Sequence, residues 1–232
     1  MKNWKSETGK YLKRLEALSQ LISQKPKHPE NIPHPPLDIP TTELQGLLHR
    51  TVITYELGVW GRSNETVSAV LCLWAEGFLC EAASLSRLLF EIWGLSAYQT
   101  KSLEKYKTKG NLASLAKATN RIFEGVRSQV LMPWGTPASE KPIHVMDTIR
   151  SLKEEYPLAL ETYDDLCESA HANQPRYFEW WVIGKYGDNW TNKTVQLRGH
   201  ALLEKTVSSI ESCVNGIRSS LDKGLTLCGQ LY

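Results

Sequence analysis

The sequence predicts an all-α protein, a multi-helix bundle around a long central helix, with a small β-hairpin or aromatic insertion before the last helix. Three observations carry this. Apolar residues recur at three- and four-residue steps through most of the chain. Most prolines fall in two segments, 25–40 and 132–142, and leave long stretches between them free to be helical. A single stretch, 176–199, is dense in aromatic and β-branched residues. Hydrophobic residues make up 41% and charged residues 22% of the 232, an ordinary globular balance. A chain of this size builds its core without disulfide or metal support, so one helical domain over 1–232 is expected.

Residues 1–24 supply the first helix, with Leu12, Leu15, Leu18 and Ile22 on one stripe and Lys10, Lys13, Arg14 and Glu16 opposite. The run KPKHPENIPHPPLDIP, 25–40, reads as an extended linker, because each proline fixes φ and removes a donor. The bundle core, 41–175, opens with Thr41 or Thr42 as cap of a helix striped by Leu44, Leu47, Leu48, Val52 and Tyr55. Gly61 is placed to end it. Asn64 then caps the central helix, about 65–100, which would be ~50 Å long and apolar on most sides. Helices over about 110–130, 143–155 and 157–171 follow, with the loop MPWGTPASEKP at 132–142 between the first two. The insertion, RYFEWWVIGKYGDNWTNKTVQLRG, 176–199, has Gly187-Asp188-Asn189 near its middle, which suits a hairpin turn. Residues 200–232 are the last helix and tail. Leu203, Val207, Ile210, Val214, Ile217 and Leu221 form its stripe, and Gly224 stands in C-cap position.

The net charge of +2 does not by itself point to nucleic acid. Five cysteines, Cys72, Cys80, Cys167, Cys213 and Cys228, with no C-x-x-C, read as reduced and mostly buried thiols. The N-terminal residues have no apolar signal core. The most apolar stretch, Val67 to Tyr98, is broken by Glu76, Glu81, Arg87 and Glu91, each costly in lipid. A cytoplasmic protein with no membrane partner is expected. G-x-x-x-x-G-K-[ST], G-x-G-x-x-G, G-x-S-x-G and H-E-x-x-H are all missing, which disfavours the common nucleotide-binding, hydrolase and zinc-protease classes.

Arg87 and Glu91 stand one helical turn apart inside LCEAASLSRLLFEIWGLSAY. Surrounded by leucines, Phe90 and Trp93, they are either a structural ion pair or the polar part of a groove. In YDDLCESAHANQPR, Glu168 and His171 share a helix face. A di-metal bundle needs a second Glu-x-x-His, and no other histidine has a glutamate three residues before it. No metal and no cofactor are therefore expected. Cys167 and His171, four apart, would suit a thiolate–imidazole pair only with an orienting group and an oxyanion site. The plain alternative is a helix end, where His171 favours the dipole. The aromatic run with Arg176, Lys185, Lys193 and Arg198 suits base stacking, a half-buried hairpin or an oligomer contact.

The stretch EAASLSRLLFEIWGLSAY resembles the A-x-x-L-x-R-x-x-x-E helix of an uncharacterised bacterial family of helical proteins, grouped with HEPN-like bundles. YDDLCESAHAN is similar to that family's Y-x-x-L-(S/C)-E-x-x-H-x-N helix end. The resemblance spans about 65–175. It implies that Arg87 and Glu91 approach Glu168, His171 and Asn173, and it implies a setting in RNA processing or phage defence. Ribonucleolytic HEPN proteins carry Arg-x(4–6)-His. No histidine here has an arginine at that distance, so Arg87 and His171 would have to meet from different helices. Two expectations follow. One is a metal-independent, RNA-directed protein acting through this cluster. The other is a non-catalytic helical interaction module, homo-oligomeric, in which the same cluster is structural.

Overall fold

The computed structural model describes residues 2–29, 43–123, 141–170 and 193–232. All regular structure among them is helical. The elements are α1 (Lys2–Ser23), α2 (Leu44–Ile53), a π-helical stretch (Thr54–Gly61), α3 (Arg62–Ala75), α4 (Leu79–Lys109), α5 (Leu112–Phe123), α6 (Val145–Ser151) with a 3-10 turn (Leu152–Glu154), α7 (Ala159–Ala170) and α8 (Lys193–Leu231).

The chain divides into two compact units. The first comprises Met1–Gln24, Arg62–Phe90 and Tyr156–Gly216. The second comprises Lys25–Gly61, Glu91–Glu155 and Ile217–Tyr232. The two long helices, α4 and α8, each contribute a half to both.

In the first unit the stripe read from the sequence of α1 is the buried one: Leu15, Leu18 and Ile22. They share the core with Val67, Val70 and Trp74 of α3, Leu89 and Phe90 of α4, and Leu203, Val207 and Ile210 of α8. Arg14 pins α1 to α8, its guanidinium 2.8 Å from Glu204 and 2.7 Å from Glu211. Its pKa rises, chiefly because of the Glu211 hydrogen bond and despite burial. Lys205 of α8 binds Asp165 of α7 and lies 3.7 Å from Glu161.

In the second unit the buried residues are Leu47, Leu48, Val52 and Tyr55, Trp93 and Leu103 of α4, Leu115 of α5, and Leu221 and Leu225 of α8. A buried polar bridge crosses this core: the Gln99 amide nitrogen donates to Thr51 at 2.9 Å and to Thr119 at 3.0 Å. The Thr51 hydroxyl gives its own hydrogen to the Leu47 carbonyl, so it must accept from Gln99.

Several boundaries differ from expectation. The central helix does not run 65–100. It is two helices, because Gly77 takes φ +83° and closes a Schellman turn, in which the Phe78 amide donates to the Leu73 carbonyl at 2.8 Å. Gly61 does not end α2. The backbone passes through the π stretch straight into α3, which leaves Asn64 inside a helix instead of at its cap. Residues 193–199, expected in the hairpin, are helix, the first two turns of α8. The rest of that hairpin, 176–192, lies outside the described residues, as do Thr41 and Thr42. Gly224 is not a cap. It lies within α8, where the buried Tyr55 ring sits so close that a Cβ would come within 2.4 Å of it.

Candidate functional site

The first unit brings the two motif-bearing helices side by side. Cys80, Ser84 and Arg87 recur at steps of four and three along α4, so they lie on one face. α4 meets α7 and the turn before it at three levels. The Cys80 thiol donates to the Ser169 carbonyl at 3.4 Å, and the Ser84 hydroxyl shares its hydrogen between that carbonyl and the Cys80 carbonyl, each at 2.9 Å. Two side chains of α4 thus converge on one backbone carbonyl of α7. One level on, Arg87 engages Cys167. Further on, Phe90 packs against Tyr156, ring centroids 6.0 Å apart. α4 and α7 therefore run antiparallel.

Electrostatics at the seam follow from this. Burial pushes the Cys167 thiol up, against the pull of the Arg87 charge and of hydrogen bonds from Tyr163 and Arg87. Burial also raises Cys80, to about 11, with the Glu81 charge adding to it. Both sulfurs are protonated at neutral pH. Burial thus works against a thiolate at Cys167, while the Arg87 charge favours it.

The predicted site residues are placed as follows. Arg87 is half-buried in the first unit, against Cys167. Glu168 is exposed on α7, adjacent in sequence to Cys167. Glu91 is half-buried one turn further along α4 and belongs to the second unit. His171 and Asn173 lie outside the described residues. No group of three or more metal-ligating side chains occurs among the described residues. No helix among them is long and apolar enough to cross a membrane.

Sequence reasoning missed the part played by Cys80, Ser84 and Cys167 at this seam. On α4 the signal was there: Cys80 and Ser84 share a face with Arg87. Small thiols and hydroxyls read as core filling, so the face passed for ordinary packing. No known family, curated protein or solved structure matches this chain.

Proposed function

We propose that the chain is a HEPN-like helical protein that meets RNA along the α4–α7 seam and works without a metal. The observation that carries this is the engagement of Arg87 with Cys167. It sets a guanidinium, suited to phosphate, beside the helix that carries the second motif. In this reading Arg87 contacts the RNA backbone, Glu168 stands exposed at the rim, and His171 supplies acid–base chemistry. The resemblance adds Glu91 and Asn173 to the residues that this reading would test by mutation.

A second reading, the non-catalytic and homo-oligomeric interaction module, draws on a different observation. Four cations of the described helices are spent between elements: Arg14 on Glu204 and Glu211, Lys205 on Asp165, Lys101 on Glu154 and Lys223 on Glu104. Charge used in this way is not offered to a polyanion.

One experiment separates them. Wild type, Arg87→Lys and His171→Gln are incubated with end-labelled single-stranded RNA, with and without EDTA. The proposal predicts binding and EDTA-resistant cleavage, with cleavage lowered roughly 10²–10⁴-fold by His171→Gln. It predicts weakened binding for Arg87→Lys, because lysine cannot reproduce the bidentate contact. A wild type that neither binds nor cleaves RNA, and that elutes as an oligomer, favours the interaction module.

A further inference from the structure

We infer that His49 is the trigger of an acid-sensitive clasp that holds Tyr232, at the end of α8, on α2 within the second unit. The inference is independent of the RNA reading.

His49 is 7% exposed, and neither of its ring nitrogens has a hydrogen-bond partner among the described residues. What covers it is Tyr232, with ring centroids 5.1 Å apart and planes tilted by 48°. The Tyr232 hydroxyl donates to the Gln45 carbonyl at 3.3 Å, one turn earlier on α2. Both attachments of Tyr232 therefore fall on the single turn 45–49. Behind them, Leu225 and Cys228 anchor the same end of α8 in the core.

This arrangement tolerates a neutral imidazole and penalises a charged one. Burial alone holds His49 below its usual value, with no carboxylate or cation contributing. The titratable group that faces it from α8 is the Tyr232 phenol. Burial and the nearby Cys228 push that phenol up to about 12, so it stays neutral and cannot serve as a counter-ion. On α2 itself the adjacent Arg50 is turned over the Phe123 ring of α5, 5.2 Å from its centroid, and carries the same sign as a protonated imidazole. A second proton on His49 thus adds a buried charge that has no partner among the described residues. The ring reaches water only by leaving the turn, and it takes with it the surface on which Tyr232 rests.

The direction with pH is fixed. A histidine whose folded pKa is lowered binds its proton more weakly in the closed state. The clasp is fully closed above the ordinary value near ~6.5 and loosens as pH falls toward the folded value. One linked proton changes the opening equilibrium up to about tenfold between pH 7.5 and 5.5.

Hydrogen exchange of the full chain tests this, with rates corrected for the intrinsic effect of pH. Amides in 225–232 should lose protection several-fold, up to about tenfold, between pH 7.5 and 5.5, while amides in 203–214 change little. In His49→Phe, an apolar ring of similar size, that pH dependence should vanish. Equal protection at both pH values in the wild type, or an undiminished pH dependence in His49→Phe, overturns the clasp. If His49→Phe does not fold, ring NMR of the wild type decides. A His49 midpoint below ~6.5, shared by the 225–232 amides, supports the clasp. A midpoint at or above that value, or amides that do not follow it, overturns it.

Discussion

Replacing Gly224 by alanine sets two opposed effects against each other, and the structure says which wins. Gly224 lies inside α8, so alanine should gain about 1 kcal/mol in helix propensity. Against this, the new Cβ would meet Tyr55 Cζ at 2.4 Å and Cε2 and Oη at 2.5 Å. Ordinary carbon contacts lie near ~3.5–4.0 Å, so the ring must retreat by about 1 Å. Tyr55 has nowhere to go. It is fully buried, and its hydroxyl is 2.8 Å from Thr100. The Thr100 hydroxyl sends its hydrogen to the Ser96 or Ser220 carbonyl, so Tyr55 is the donor in that pair. Overpacking costs ~1–3 kcal/mol, and a buried hydroxyl that loses its partner costs a further ~1–3 kcal/mol. After the propensity gain, Gly224→Ala should destabilise by about 1–5 kcal/mol. At this chain length that lowers the melting temperature by about 2–20 °C. The assay is a double-mutant cycle by thermal unfolding. In a Tyr55→Ala background, itself weakened by about 3–5 kcal/mol, Gly224→Ala should become neutral or stabilising. An equal loss in both backgrounds would show that the ring is not the cause and would refute the reasoning.

Leu89→Ala should cost ~2–5 kcal/mol, because Leu89 is 0% exposed in the core of the first unit; an unchanged melting curve would contradict that burial. The Arg14 network should make α1 docking acid-sensitive. Glu204 is held below its usual value, first by the Arg14 hydrogen bond, so its stabilisation is present above pH ~4.3 and lost as pH falls through the folded value. Each pair is partly exposed and worth only about 0.2–1 kcal/mol, so Arg14→Met should lower stability modestly at pH 7 and flatten the acid limb; an unchanged acid limb would count against the network.

The fold was legible wherever one face of a helix had to be buried. Leu15, Leu18 and Ile22 are such a case, since a stripe of that spacing has no other use. Glycines were less legible, because one letter serves several purposes. Gly77 supplies a positive φ, whereas Gly224 makes room for a ring donated from 169 residues earlier in the chain. Only the three-dimensional neighbour separates these uses. Residues 193–199 read as strand by their β-branched content, yet they continue a long helix whose stripe begins at Leu203. At the candidate site, the pairing of the Arg87 helix with the Glu168 helix came from the resemblance and not from periodicity. The thiol that Arg87 meets was invisible, because a half-buried cysteine carries no pattern of its own.

The measurement that tests the central claim most directly is photo-crosslinking of bound single-stranded RNA to the wild-type chain, with the modified peptides mapped by mass spectrometry. Crosslinks concentrated on 79–90 of α4 and 163–170 of α7, and lost in Arg87→Lys, are the predicted result. Crosslinks spread over α1 or the outer face of α8, or no crosslink at all, would contradict the assignment of this seam as the RNA-facing surface.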